Sequence, residues 1–196
     1  MNILYLTSGQ NENSLYNFLN HDGNQIIELK GPFEISLLKI CQIDFIISYG
    51  YRYIIKQPII DFIKGRIINL HISLLPWNRG ADPNLWSWID NTPKGVTIHF
   101  IDEGIDTGNI IIQKEIRFKG TEGMTLNSSY LFLKEEIEDL FMGNWASIKR
   151  GAFGQGTVQE GVRSFHTIKD IDKYRTCLTE GWQTKIDTFL DKIKKL

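Results

Sequence analysis

The sequence has few cysteines, no long apolar run and almost no net charge. Its 196 residues include only Cys41 and Cys177, without a CxxC pair or the Cys/His spacing of a zinc site. No apolar run approaches the roughly 20 residues that span a bilayer, and the first residues, MNILYLTSG, lack the basic flank of a signal peptide. A net charge of −1 gives no global sign of a nucleic-acid-binding surface. We therefore expect a cytoplasmic globular protein that binds neither nucleic acid nor a membrane.

Short apolar runs typical of strands alternate along the chain with segments whose apolar residues recur at helical spacing. This order predicts the fold class. Strands are expected at residues 2–7, 25–29, 44–48, 66–70, 94–101 and 109–118. Helices are expected between them, followed by one long amphipathic helix over residues 124–145. This order predicts an α/β fold with a Rossmann-like, mostly parallel twisted sheet and helices on both faces.

A change in composition suggests where the main domain ends. Four glycines fall within residues 151–161, and two weaker helical patterns follow at residues 168–176 and 182–196. We predict a catalytic domain over residues 1–150. Residues 151–196 are then a short C-terminal extension made of a Gly-rich loop and short helices.

Polar side chains follow two of the predicted strands and suggest an active site. Asn69 and His71 end the fourth strand two residues apart, so they face the same side. The fifth strand ends in a loop with Asp106, and the ends of apolar strands are where α/β sheets build active sites. We expect Asn69, His71 and Asp106 to meet there. His99 is expected to be packed or hydrogen-bonded in its strand, outside the site. The acidic loop lacks the ligand number and spacing of a calcium loop, so no metal is expected.

The three residue types suit attack by a neutral nucleophile on a carbonyl carbon. His71 would polarise the carbonyl as an acid and then shuttle protons. Asn69 would donate its amide hydrogens to the developing oxyanion. Asp106 would orient the imidazole, favour its charged form and help to take the proton of the nucleophile. Ser73 has no GxSxG elbow, so direct transfer is favoured over an acyl-enzyme.

Two further segments are candidates for ligand binding. Residues 8–11 form a turn after the first strand, which is either a phosphate or substrate contact or a plain connection to the helix; there is no GxGxxG. Three tyrosines and an arginine follow the third strand. They either bind a ligand or cover the end of the sheet with aromatic rings.

The stretch NLHISLLPWNRGADP, followed by GVTIHFIDEGIDTGNIIIQ, resembles the formyltransferase family that uses 10-formyltetrahydrofolate. The family pattern Asn-x-His-x-Ser-x-Leu-Pro, then Gly-Val-Thr, then Asp-x-Gly-x-Asp-Thr-Gly is present in order. The resemblance implies that Asn69, His71 and Asp106 are the catalytic triad. It also implies that the pterin of the folate co-substrate lies between residues 49–55 and the loop 101–106. The implied folate-binding residues are Tyr49, Tyr51, Arg52, Tyr53, Asp102, Gly104 and Ile105.

Within this family, ISYGYRYII, PWNRGADPN and SFHTIKD resemble the branch that formylates nucleotide sugars. The implied acceptor is a dTDP- or UDP-linked 4-amino- or 3-amino-deoxysugar made for lipopolysaccharide O-antigen. Candidate acceptor contacts are Ser8, Gly9, Trp77, Asn78 and Arg79. Many sugar enzymes have a further C-terminal domain or dimerising hairpin that is lacking or shortened here, so a homodimer is possible but its mode is open.

Other activities stay open at this point. Glycinamide ribonucleotide formyltransferases have an N-terminal turn that SGQNEN partly matches, and methionyl-tRNA formyltransferases share the RGAxP segment but resemble longer proteins with a basic C-terminal domain. A formyltetrahydrofolate hydrolase would use the same pocket with water as the acceptor. A non-catalytic folate- or nucleotide-binding module is a further alternative, which the intact Asn/His/Asp set disfavours.

Overall fold

A six-stranded sheet forms the centre of the structure, a computed structural model that describes residues 1–9 and 14–196. The strands of this part of the chain are β1 (Asn2–Thr7), β2 (Gln25–Leu29), β3 (Phe45–Tyr49), β4 (Ile67–His71), β5 (Arg79–Gly80), β6 (Lys94–Phe100), β7 (Ile110–Ile116), β8 (Phe165–His166) and β9 (Thr179–Trp182). The sheet has the order β2-β1-β3-β4-β6-β7. Strands β1 to β4 run parallel, whereas β6 is antiparallel to β4 and β7 is antiparallel to β6. The predicted α/β fold with a mostly parallel sheet is confirmed.

Helices cover both faces of this sheet, as predicted. They are α1 (Ser14–His21), α2 (Ile35–Ile40), α3 (Gln57–Ile63), α4 (Pro83–Ile89), α5 (Leu126–Ile148) and α6 (Ile186–Ile193), with a 3-10 helix over Ile168–Cys177. Successive side chains of a strand point to opposite faces. Ile3 accordingly belongs to the apolar cluster under α1 and α5, and Leu4 to the cluster under α2 and α3. Among residues 1–9 and 14–196, no helix combines the length and apolar character needed to cross a membrane.

A third apolar cluster attaches residues 151–196 to the rest of the chain. The fully buried Ile186 and Phe189 of α6 lie in one cluster with Leu85 and Trp88 of α4 and with Leu126, the first residue of α5. The short strands β5 and β8 also pair in parallel. These contacts join the two predicted regions along α4 and β5. The division near residue 150 stays a prediction.

The direction of β6 corrects one expectation about the site. Because β6 is antiparallel to β4, His99 pairs with Asn69 and Phe100 pairs with Ile68. The carboxyl end of β6 therefore lies beside the amino end of β4, not at the edge where β4 ends. The loop 101–108 returns across the sheet, and this return brings Asp106 to Asn69.

Candidate active site

Asn69, His71 and Asp106 meet in the structure. Asn69 Nδ2 donates to Asp106 Oδ1 at 3.1 Å, and His71 Nδ1 lies 3.6 Å from Asp106 Oδ2. Asn69 and His71 leave the same face of β4, because alternate residues share a face. Ile68 and Leu70 point the other way, into the cluster under α5. The structure thus brings together the three residues that the sequence groups, and their chemical roles stay predictions.

His99 belongs to this cluster of side chains, although the sequence pattern places it outside the site. Its Nε2 lies 3.2 Å from Asn69 Nδ2 and 3.4 Å from Asp106 Oδ1. Its Nδ1 faces the carbonyl oxygen of Phe100 at 2.7 Å. A carbonyl oxygen only accepts, so Nδ1 bears a hydrogen, and Nε2 accepts from Asn69 in the tautomer in which Nε2 bears none. The sequence signal for this role is a polar residue in an apolar strand, but its use requires the antiparallel pairing with Asn69.

The loop that contains Asp106 is held from its other side by Gly80 and Gln159. The Gly80 N–H donates to Asp106 Oδ2 at 2.9 Å. Gln159 Nε2 donates to the carbonyl oxygens of Asp106 at 3.0 Å and of Gly108 at 2.7 Å. Asp106 has a φ of +52°, a left-handed conformation that Asp adopts more readily than most residues. These contacts fix the position of the carboxylate relative to β4.

Burial and neighbouring groups set the protonation of the site. Burial, the largest effect, lowers the pKa of His71 in spite of the nearby Asp106 carboxylate, so the ring is neutral at pH 7. Burial alone would raise the pKa of Asp106, but His71, His99 and the Gly80 N–H together hold that pKa below its ordinary value. His71 Nε2 lies 3.0 Å from the carbonyl oxygen of Asn78, which assigns the single ring hydrogen to Nε2. The site therefore pairs an ionised carboxylate with a neutral imidazole whose Nδ1 is unprotonated.

The segment expected to contact the acceptor, Trp77 to Arg79, is largely engaged within the protein. Asn78 is fully buried, and its backbone N–H donates to Ser164 Oγ at 2.8 Å. The buried Arg79 donates from Nη2 to Gln159 Oε1 at 2.6 Å. Trp77 is half-buried. Asn78 and Arg79 thus contribute to the structure of the site through contacts within the protein. Direct contact of Trp77, Asn78 or Arg79 with a ligand stays a prediction. Sequence reasoning missed Gln159 and Ser164, whose partners are distant in the chain.

The two segments expected to hold the folate share one apolar cluster. Tyr51 and Ile55 of one segment and Ile101 of the other pack against the same apolar cluster. Tyr53 is 48% exposed and Ile105 is 47% exposed, so both segments offer apolar surface to solvent. A flat ring with apolar faces fits such a surface, and hydrogen bonds at its edge can be made by the backbone of the loop 101–106.

The other residues expected around the folate have differing surroundings. Tyr49 is buried and donates to Glu138 Oε1 of α5 at 3.1 Å, on the face of the sheet opposite to Asn69. Asp102 Oδ1 accepts from the Gly104 N–H at 3.1 Å and shapes the loop. Arg52 is exposed. A binding role for these four expected residues stays a prediction.

Ser8 and Gly9 follow β1 at the edge of the sheet where the parallel strand β4 also ends. Gly9 has a φ of +81°, and its N–H donates to Thr7 Oγ1 at 3.1 Å. Gln10 and Asn11 of the same predicted turn lie outside the described residues. Over residues 1–9 and 14–196, no group of three or more His, Cys, Asp or Glu side chains is arranged to hold a metal ion.

Comparison with known proteins finds related sequences and structures. The model of the family described as formyl transferase matches residues 30–134. The structure is similar to that of the formyltransferase PseJ from Anoxybacillus kamchatkensis, with a TM-score of 0.89 and 43% sequence identity, over 98% of this chain and 99% of that chain. The PseJ crystal structure is a complex with UDP-4,6-dideoxy-4-formamido-L-AltNAc and tetrahydrofolate.

Methionyl-tRNA formyltransferases also match, over a smaller part of their length. The relative from Clostridium novyi (strain NT) is 40% identical over 149 residues, which are 76% of this chain and 43% of that protein. The relative from Syntrophus aciditrophicus (strain SB) is 40% identical over 88 residues, which are 44% of this chain and 28% of that protein. The chain therefore spans less than half of the length of either relative.

Proposed function

Because the chain belongs to the formyl transferase family, we propose that it moves a formyl group from 10-formyltetrahydrofolate to the amine of a nucleotide-linked amino-deoxysugar. The proposal rests on the similarity to PseJ, which extends over 99% of that chain at 43% identity. The cluster of Asn69, His71 and Asp106 supports it, because the arrangement suits transfer to an amine. The ligand of PseJ favours a UDP-linked 4-amino-dideoxysugar over the dTDP-linked and 3-amino alternatives.

The site residues would act first on the proton of the amine. Residues 49–55 and 101–106 would hold the folate co-substrate, which would supply the formyl carbon that the amine attacks. Ionised Asp106 and unprotonated Nδ1 of His71, 3.6 Å apart, form a pair that can take the proton which the amine loses. The adjacent carboxylate would stabilise the imidazolium formed on His71. This imidazolium would then return its proton to the folate nitrogen as the bond between that nitrogen and the formyl carbon breaks and tetrahydrofolate leaves. This changes the predicted role of His71, which begins as a base because its only ring hydrogen is on Nε2.

Asn69 has a more limited role in this proposal than the sequence suggests. Its Nδ2 donates to Asp106 and faces His99 Nε2, so both amide hydrogens are engaged. Donation to the carbonyl oxygen would require Asn69 to exchange one of these contacts when the carbonyl arrives. With these contacts in place, Asn69 mainly orients the Asp106 carboxylate.

Substitution of Asp106 tests the proposed chemistry. Asp106→Asn keeps the side-chain shape but removes the charge that accepts and stabilises the proton. We expect turnover to fall by about a hundredfold or more, measured by mass spectrometry as formyl gain on a UDP-linked 4-amino-dideoxysugar with 10-formyltetrahydrofolate. The matched control is Asp139→Asn on the exposed surface of α5, which should keep wild-type turnover. Near-wild-type turnover of the Asp106 variant would contradict the assignment.

A panel of acceptors tests the substrate class. It contains UDP- and dTDP-linked aminosugars, glycinamide ribonucleotide and methionyl-tRNA, with formate release measured in the absence of any amine. Gain of one formyl group on a nucleotide sugar alone supports the proposal. Preferred formylation of methionyl-tRNA, or formate release at the transfer rate, would replace it with the corresponding alternative.

The biological setting forms the finer part of the proposal. We propose that the formylated sugar is made in the cytoplasm and used for lipopolysaccharide O-antigen, as the resemblance to the sugar-nucleotide branch implies. A homodimer also stays a prediction, which sedimentation of the purified chain can test.

A further inference from the structure

The segment that leads into β8 turns two side chains outward beside the active site. Ser164 and His166 point inward: Ser164 Oγ donates to Asn78 Oδ1 at 3.0 Å, and the His166 ring stacks on Trp86 at 3.8 Å between centroids. Successive residues of an extended segment face opposite sides, so Arg163 and Phe165 face away from Ser164 and His166. Arg163 and Phe165 are accordingly exposed, and Phe165 has half of its surface open to solvent.

Phe165 lies next to the residue that holds the catalytic carboxylate. Strand β8 pairs with β5, so that Phe165 lies opposite Arg79 and His166 opposite Gly80. A Cβ built on Gly80 would lie 3.0 Å from Phe165 Cε2 and 2.2 Å from the carbonyl oxygen of His166, so this close approach depends on glycine. The Gly80 N–H donates to Asp106 Oδ2. The half-exposed ring of Phe165 thus lies beside Gly80, the residue whose N–H donates to Asp106.

Arg163 adds an unpaired positive charge to the same surface. Within residues 1–9 and 14–196, the Arg163 side chain makes no hydrogen bond or ion pair, unlike Arg79, which donates to Gln159. Burial lowers the pKa of Arg79, and the charge of Arg163 lowers it further, which places Arg163 within electrostatic reach of the site. A free guanidinium is suited to bidentate binding of phosphate oxygens.

The spacing of these groups fits one orientation of the acceptor. In this orientation the amine would lie at Asp106 and the sugar ring against Phe165. The phosphate attached at the opposite end of the sugar then lies farther along the segment. Two residues of extended chain span roughly 6.6 Å, which is comparable to the reach across a six-membered sugar ring, so Arg163 is positioned for that phosphate.

We infer that Phe165 and Arg163 form the acceptor subsite, with the Phe165 ring against the apolar face of the deoxysugar and Arg163 on the diphosphate. The inference rests on the proposed function, since it assigns residues to the nucleotide sugar of that reaction. It assigns acceptor recognition to the C-terminal segment instead of to Trp77, Asn78 and Arg79.

Binding of UDP and turnover of the nucleotide sugar separate the two roles. By calorimetry, Arg163→Ala should weaken UDP binding by about tenfold or more, because a hydrogen bond to a charged group is lost. Phe165→Ala should leave UDP binding within about twofold and raise the KM for the UDP-aminosugar by about tenfold, because it removes ring contact but no phosphate contact. Both variants should keep the wild-type KM for the folate co-substrate.

Exposed residues away from this surface provide matched controls. Arg66→Ala, at the amino end of β4, and Phe62→Ala, on α3, should bind UDP and turn over the sugar as the wild type does. Wild-type UDP affinity in Arg163→Ala, or an unchanged sugar KM in Phe165→Ala, would overturn the subsite. A wild-type protein that binds UDP but formylates no nucleotide sugar would instead contradict the proposed function.

Discussion

Asp106 shows how single residues determine the site and how far a sequence can predict them. The motif positions of Asn69, His71 and Asp106 are local in the chain, so their polar character identifies them. The involvement of His99 depends on the pairing of β4 with β6, which no local pattern contains. Asn78 is a polar loop residue of the kind that contacts ligands. In the structure its backbone N–H instead donates to Ser164, which lies 86 residues away in the chain. Polar loop residues can therefore be recognised from sequence, whereas their partners cannot.

The buried, neutral state of His71 predicts a loss of stability on acidification. Its folded-state pKa is lowered, so below the ordinary value near 6.5 the unfolded chain binds a proton that the folded protein does not. The free energy of unfolding should fall below about pH 6.5, by up to about 1.4 kcal/mol per pH unit from this group. Asp106, whose pKa is also lowered, adds a further loss only below its ordinary value, near pH 4.

Urea unfolding between about pH 5.5 and 7.5 measures the contribution of His71. His71→Asn should show a shallower dependence of the unfolding free energy on pH than the wild type. His21→Asn, at an exposed position, should keep the wild-type dependence. Equal slopes for the wild type and His71→Asn would show that this imidazole is not held neutral by folding.

At the scale of elements, the parallel half of the sheet follows from the sequence and the rest does so only in part. Continuous apolar runs predict strands buried on both faces, and β1, β3 and β4 have this form. The alternating pattern of β6 predicts a strand but does not determine its direction. The two-residue strands β5 and β8 have no pattern of their own, because they exist only where residues 79–80 and 165–166 approach each other. Much of the site geometry depends on two non-local pairings, that of β4 with β6 and that of β5 with β8.

Two glycines allow a test of the turn that returns Asp106 to the sheet. A Cβ at Gly108 would lie 1.9 Å from the carbonyl oxygen of Phe100, so Gly108→Ala must displace the turn. We expect a loss of about 1–3 kcal/mol of stability, as for other overpacked sites, and a large fall in turnover. The matched substitution Gly143→Ala lies at an exposed position of α5 with nothing near the new Cβ. It should stabilise the protein by about 0.5–1 kcal/mol without changing turnover.

Thermal or urea unfolding combined with the formyl-transfer assay distinguishes these outcomes. A Gly108→Ala variant with wild-type stability and turnover would mean that the turn tolerates a side chain, and that the position of Asp106 does not depend on it. A destabilised Gly143→Ala variant would mean that α5 does not accept a methyl group at this position, and it would then not serve as a control.

At the scale of the whole molecule, residues 151–196 do more than extend the chain. Gln159 bonds the Asp106 loop, Ser164 bonds Asn78, and α6 is buried against α4. The sequence predicts a Gly-rich loop and weak helices here. The last helix begins at Ile186 instead of residue 182, and the strand β9, which no pattern predicts, ends at Trp182. Weak local patterns predict little because these residues are stabilised by contacts with distant parts of the chain. The same contacts suggest that the active site forms only when both regions are folded.

Phe189→Ala tests whether the molecule folds as one unit. Phe189 is fully buried with Leu85 and Trp88 of α4, so its truncation should lower the free energy of unfolding by about 3–5 kcal/mol. If the two regions are cooperative, tryptophan fluorescence and far-UV circular dichroism should report a single coincident transition, shifted to lower urea concentration. Leu196→Ala, at a position that is 74% exposed, should change stability by no more than about 0.5 kcal/mol. Two separate transitions, with only one of them shifted by Phe189→Ala, would instead make residues 151–196 an independent unit, and formyl transfer should then survive in the range where that unit is unfolded.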